Sequence, residues 1–219
     1  LKNDYGANIW AETINQIHNH VPNCNVEVLT PDFQGNKSSL LKVFNAKPEI
    51  FSHNVECVER ISKKVRTQAN WKRSLDVLSY SVKNNMRTKT GMMVGLGETF
   101  EEVVNTMAQV RSLGVEIFTI GQYLQPSKNH LEVKRYVENL EFDEYKTLGL
   151  KMGFKIGCIY MHLLAKIGFD TAENGPHWFQ KVWRLRHSQT FSPDLKSVYS
   201  CSMPNHGTSA ARLQRPLPN

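Results

Sequence analysis

The 219-residue chain lacks any long apolar run. Stretches such as Leu163-Leu164-Ala165 stop after a few residues, far short of the roughly 20 that a bilayer-spanning helix requires, so no transmembrane segment is expected. No basic segment followed by an apolar one opens the chain, so no secretory leader is expected either. Cysteine is scarce. Cys24, Cys57, Cys158 and Cys201 are never closer than 33 residues, which leaves no C-x-x-C pair, no zinc spacing and no compact disulfide framework. A reducing compartment is the expected home. Neither a G-x-G-x-x-G loop nor a Gly-Lys-Ser/Thr P-loop occurs. No Ser, His and Asp fall at a spacing that supports a hydrolytic triad.

The net charge of +7 is also not concentrated where a nucleic acid would need it. Residues 1–153 hold 19 Lys/Arg against 17 Asp/Glu, and residues 154–219 hold 8 against 3. The excess sits in the tail, but it is scattered over Lys181, Arg184, Arg186, Lys196, Arg212 and Arg215 without a dense cluster. Neither nucleic acid nor membrane is an expected partner.

What is present suits one folded domain of ordinary size, with 40% hydrophobic and 21% charged residues. The apolar spacing predicts a helix over 7–20, a strand over 26–30, a helix over 37–45 and a strand over 50–54. Helices over about 56–64 and 70–83 follow, then a strand over 88–94 containing Gly91. Thr99 is a helix cap, with Glu101 and Glu102 in the first turn, and that helix ends at Gly114. A strand over 115–121 and a helix over 140–152, closed by Gly153, complete the regular part. After Gly175 the proline, serine and asparagine content suggests loop or disorder. Alternating strands and helices imply parallel pairing with right-handed crossovers, as in a parallel barrel or a doubly wound sheet. In both, ligands sit at the carboxyl ends of the strands.

Those ends carry Thr30-Pro31-Asp32, His53-Asn54-Val55-Glu56, Gly95-Leu96-Gly97-Glu98 and Gln122-Tyr123-Leu124-Gln125-Pro126. Asn54 and Glu56 together suit the vicinal hydroxyls of a ribose, or else Asn54 caps the next helix with Glu56 in its first turn. Gly91 inside a strand suggests a close approach of backbone or ligand. Gly95 and Gly97 permit a tight turn, which an ordinary strand-to-helix connection would also use. Gln122 and Gln125 suit an adenine edge or a peptide, or simply a turn before Pro126. His53 and His130 read as structural histidines, and Cys24 and Cys57 as core thiols.

Taken in order, Val26-Glu27-Val28-Leu29-Thr30-Pro31-Asp32-Phe33, His53-Asn54-Val55-Glu56, Val65-Arg66, Arg73-Ser74-Leu75, Met93-Val94-Gly95-Leu96-Gly97-Glu98 and Thr119-Ile120-Gly121-Gln122-Tyr123-Leu124-Gln125-Pro126-Ser127 resemble lipoyl synthase, a radical S-adenosylmethionine (SAM) family. The resemblance spans about residues 1–155. It implies an α/β fold: a partial parallel (β/α) barrel of the radical SAM type that lacks the first strands and keeps the last four β/α units, with a divergent basic, partly disordered tail over 156–219. It also implies a reaction, the insertion of sulfur at C6 and C8 of an octanoyl group carried by a protein or lipoyl domain. The implied cofactors are SAM and two [4Fe-4S] clusters, one to reduce SAM and one to supply sulfur. By resemblance Asn54 and Glu56 lie in the ribose-contacting segment, and Arg66 is a carboxylate or substrate contact. Gly91, Gly95, Gly97 and Glu98 lie along the adenosine and substrate side, and Gln122, Tyr123 and Gln125 under the adenine. No residue is assigned a catalytic or metal-binding role.

The family's cluster motifs do not occur in this sequence. Its C-x3-C-x2-C loop, its further amino-terminal cysteines and its carboxyl-terminal Arg-Ser-Ser-Tyr are absent. The clusters are therefore not expected on this chain alone. The expectation is a lipoyl synthase-like chain truncated at its amino end and inactive alone, or a non-catalytic fragment retaining part of the SAM or carrier-protein surface. Its place would be the cytoplasm, or the mitochondrial matrix in a eukaryote.

Overall fold

A computed structural model describes residues 3–66, 68 and 70–158. The tail expected beyond residue 158 lies outside the described residues. Five strands, Glu27–Leu29 (β1), Ile50–Ser52 (β2), Thr88–Val94 (β3), Ile117–Gln122 (β4) and Ile156–Cys158 (β5), form one parallel sheet in the order β1-β2-β3-β4-β5. A doubly wound sheet reverses its order at a switch point, whereas a barrel does not. The unbroken order therefore selects the barrel-type reading that the sequence left open. The sheet also exceeds the four strands expected. After the turn at Gly153 (φ 89°), the Lys155 N–H donates to the Glu116 carbonyl at 3.0 Å and starts β5 against β4.

The six helices are Ala7–His20 (α1), Lys37–Asn45 (α2), Glu59–Val65 (α3), Trp71–Lys83 (α4), Phe100–Ser112 (α5) and Asn139–Lys151 (α6). They match the periodicity closely, because each buries one apolar stripe against the sheet. Right-handed crossovers between consecutive neighbours put α2–α6 on one side, and α1, which precedes β1, joins them by packing into the same core as α2. Strand alternation agrees. Val28 and Phe51 pack into the first core with Ile14, Leu40, Val43 and Phe44, and Phe51 meets Phe44 edge-on at 5.0 Å. Met92, Val94, Phe118 and Ile120 pack into the second with Leu78, Val103, Met107 and Tyr145. The opposite face of the sheet carries Glu27, Leu29, Lys89, Gly91, Met93 and Thr119. Among the described residues both core clusters lie on the helical side; on this face Leu29 is 52% exposed, while Ile50, Ser52 and Ile117 are buried.

The first turn of α5 carries more than the sequence reading assigned to it. The Glu102 N–H donates to Thr99 Oγ1 while the Thr99 N–H donates to the Glu102 carboxylate, a reciprocal capping box. Arg60 on α3 then grips Glu102 with two bonds of 2.6 and 2.8 Å. Arg60 and the Thr99 N–H together hold the Glu102 carboxyl down at about 2.

Candidate functional site

The face opposite the helices meets the carboxyl ends of β2, β3 and β4. The chain leaves β2 at Ser52 but stays alongside β3: the Glu56 N–H donates to the Gly91 carbonyl at 3.0 Å, and the Met93 N–H to the Glu56 carbonyl at 2.8 Å. This pairing requires Glu56 to adopt φ 70°, which costs a non-glycine residue energy that the two bonds offset. Asn54 therefore does not cap a helix, and Glu56 is not in a first turn. Helix α3 begins only at Glu59, with Val58 as its cap residue.

Asn54, Glu56, Arg66 and Gly91 form one group. Asn54 Oδ1 lies 3.0 Å, and Thr119 Oγ1 2.6 Å, from where a Cβ on Gly91 would stand. A side chain there is excluded, and the bare backbone is what lets these two oxygens converge. Burial pushes the Glu56 carboxyl above its ordinary value, partly offset by the Arg66 guanidinium and a bond from the Asn54 side chain. Arg66 donates to the Asn54 carbonyl at 3.3 Å. Carboxylate, carboxamide and guanidinium thus meet over a glycine floor. A hydroxylated ligand with one anionic group suits that combination.

Gly95, Gly97, Glu98, Gln122 and Tyr123 form a second group, further along β3 and β4. The Gly95 and Leu96 N–H groups donate to the buried Glu98 carboxylate at 2.6 and 2.9 Å, and Gly95 and Gly97 sit at φ 101° and 100°. A Cβ on Gly95 would stand 2.3 Å from Gln122 Nε2. The Gln122 carboxamide is spent on the chain itself. It donates to the Tyr123 and Arg135 carbonyls and accepts from the Val137 N–H. Tyr123 donates to the Leu131 carbonyl, and Gln125 to the His130 carbonyl, at 2.8 and 2.9 Å. These residues strap the segment 123–137 over the glycine turn. Arg135 extends the strap, meeting Glu141 through two bonds of about 2.5–2.6 Å and lying 3.9 Å from Glu98.

His53, Asp32, Arg73, Ser74 and Arg135 lie outside the site residues expected from the sequence, yet they hold the site's edges. His53 is buried, with Nδ1 3.0 Å from the Thr30 carbonyl and Nε2 3.0 Å from Ser74 Oγ. A carbonyl only accepts, so the Nδ1 proton donates to it and the Ser74 hydroxyl donates to Nε2. Burial holds the His53 imidazole below its ordinary value, outweighing the Thr30 bond. Asp32 follows β1, is bonded by the Gln34 N–H and grips Arg73 at 2.6 Å. Burial raises its carboxyl, but these bonds prevail and hold it below its ordinary value. Alternation along β4 was the signal that could have found Thr119, because it puts a polar residue on the same face as Gly121. No local signal marks Arg135 as part of the strap: Glu141 lies six residues on, but its contacts with Gln122 and Glu98 come from distant parts of the chain.

The family model for the radical SAM superfamily matches residues 4–110. A lipoyl synthase of Rubrobacter xylanophilus is 51% identical over 153 residues, which cover 69% of this chain and 48% of that protein. A lipoyl synthase of Flavobacterium psychrophilum is 49% identical over 69% of this chain and 53% of its own length. This chain belongs to the lipoyl synthase branch of the radical SAM superfamily. Lipoyl synthases of eukaryotes match as well: one from Nematostella vectensis, named as mitochondrial, is 46% identical over 69% of this chain and 53% of its own. The chain spans about half the length of the curated lipoyl synthases it matches. Radical SAM membership implies SAM and iron–sulfur chemistry for the family as a whole.

The described residues fit the first of these groups and not the second. The glycine floor, the Asn54–Glu56 pair and the Arg66 guanidinium suit an adenosyl ligand with a carboxylate. Among the described residues, no three His, Cys, Asp or Glu gather as a metal centre would need. Cys57 is buried, and burial with the nearby Glu56 charge pushes its thiol up to about 12, the opposite of a ligating thiolate. Among the described residues no helix is long and apolar enough to cross a membrane.

Proposed function

We propose that this chain supplies the adenosyl-binding side of a lipoyl synthase, whose reaction inserts sulfur at C6 and C8 of an octanoyl group borne by a carrier protein or lipoyl domain. The observation that carries the reading is the Asn54 carboxamide seated against the bare backbone of Gly91 with the Glu56 carboxyl bonded to the same side chain. Asn54 and Glu56 hold the ribose hydroxyls, and Arg66 pairs with the ligand carboxylate. Gly91 leaves room for Asn54 Oδ1 and Thr119 Oγ1 to converge where any side chain would block them. Gly95, Gly97 and Glu98 form the turn beside the adenosine. Gln122, Tyr123 and Gln125 hold the strap that walls the adenine, acting through the chain rather than through free amides. Bound SAM would supply hydrogen abstraction there, with the electron it requires coming from a cluster that the described residues do not hold. The described residues contribute binding, orientation and exclusion of water, and no cluster step is assigned to them.

The cluster ligands come from elsewhere in the active protein, so the chain alone binds an adenosyl ligand without turnover. The domain reading is a partial radical SAM barrel over 1–155 and a divergent basic segment over 156–219. The compartment is the cytoplasm, or the mitochondrial matrix in a eukaryote. Two measurements test this. Isothermal titration of the full chain with S-adenosylhomocysteine is expected to show saturable binding, lost in Asn54→Ala and Glu56→Ala. Iron and sulfide analysis after anaerobic reconstitution is expected to show no stoichiometric cluster. A bound cluster of about four irons would make the chain an enzyme in its own right, and absence of ligand binding would overturn the adenosyl reading.

A further inference from the structure

We propose that Thr119 is a specificity-determining residue of this site, its hydroxyl recognising a ribose hydroxyl of the ligand beside Asn54. The inference rests on the ribose reading above and adds a residue from a third strand to it. Thr119 is the register partner of Gly91 across β3 and β4. It therefore shares the face opposite the helices with Gly91, Lys89 and Met93, while its neighbours Phe118 and Ile120 point into the core. Its Oγ1 approaches the Gly91 position more closely than Asn54 does, at 2.6 against 3.0 Å. The two oxygens flank one bare stretch of backbone, from β4 on one side and from the β2 exit on the other.

The hydroxyl is not fully used by the protein. Its proton is directed at the Thr90 carbonyl over 3.3 Å, the long end of a hydrogen bond. Both of its lone pairs remain for a donor, and a sugar hydroxyl is one. Thr119 is only partly buried, so a ligand reaches it. A vicinal diol seated against these two oxygens from the open side of the face then meets a carboxamide and a carboxylate from the β2 side and a hydroxyl from the β4 side. A site whose polar groups are paired by the ligand rejects an analogue that lacks the partner, because those groups would be left unpaired.

The test compares adenosine with 2′,3′-dideoxyadenosine on the full chain by equilibrium dialysis. The wild type is expected to prefer adenosine, and Thr119→Val to reduce that preference by about fivefold. Thr119→Ser, which keeps the hydroxyl, is expected to retain it. The preference is a ratio within each variant, so a change in folded fraction cancels, and Thr119→Ala serves as a second hydroxyl-free variant if Thr119→Val does not fold. An unchanged preference in Thr119→Val overturns the assignment while leaving the adenosyl site intact. Retention in Thr119→Val with loss in Thr119→Ser also overturns it, since the side chain would then act by filling space. A wild type that does not distinguish the two nucleosides overturns the ribose reading of Asn54 and Glu56, and this assignment with it.

Discussion

At the residue scale the site is decided by what a few side chains exclude. Gly91 is the clearest case, since its missing Cβ is what brings Asn54 and Thr119 together. Gly91→Ala is expected to lose measurable binding of S-adenosylhomocysteine and to destabilise the fold by about 1–3 kcal/mol through overpacking. Chemical denaturation and titration calorimetry read the two effects separately. His53 sets a pH dependence. Its folded value lies below the ordinary 6.5, so on acidification the unfolded chain takes up this proton first. Stability contributed by the neutral imidazole is present above about pH 6.5 and is lost as the pH falls through the folded value. Denaturation midpoints are expected to fall between about pH 8 and pH 5.5, and His53→Gln to flatten that slope. Equal slopes in the two proteins would dismiss the role. Glu56, whose carboxyl is raised, works in the opposite direction. For that reason the difference between variants, not the raw slope, is the observable.

At the scale of elements, the segment 123–137 has no regular structure, yet it is held by side chains instead of a ladder. Gln122 is its staple, making three bonds from one buried carboxamide. Gln122→Leu would leave the Val137 N–H and the Arg135 carbonyl without that partner, at a cost of about 1–3 kcal/mol. Hydrogen exchange over residues 123–137 is expected to accelerate while α5 and β3 keep their protection. Uniform acceleration throughout would mean that the strap is not a separate unit. The Thr99–Glu102 capping box and its Arg60 clamp fix the other side of the same glycine turn. The turn is therefore gripped from α3, from its own helix and from the strap.

At the scale of the molecule, the sheet is open. Among the described residues β1 pairs only with β2, and the face opposite the helices leaves Leu29 exposed beside the Lys89–Glu27 pair at 2.6 Å. Unpaired strand edges and exposed apolar residues favour association. Static light scattering is expected to show self-association rising with concentration, and Leu29→Lys to suppress it. A chain that stays monomeric at every concentration would show that the edge is protected.

Much of this was legible in the chain. The helices read correctly because each stripe of apolar residues, as in Val103, Met107 and Val110, reports a buried face at a fixed period. The strand ends carry the candidate site, because parallel connections would place a ligand there. The local sequence also supplied Gly91, Asn54 and Glu56, but not what they do to one another. The register of β3 against β4 brings Thr119 beside Asn54, and the continued pairing after β2 turns Glu56 toward the site instead of into a helix. Side-chain bonds across 13 and 15 residues spend Gln122 on its own chain. Residue type and spacing determined the elements and the family. Only tertiary pairing decided which polar groups remain free to meet a ligand, because hydrogen-bond partners far apart in sequence become neighbours only when the sheet is assembled.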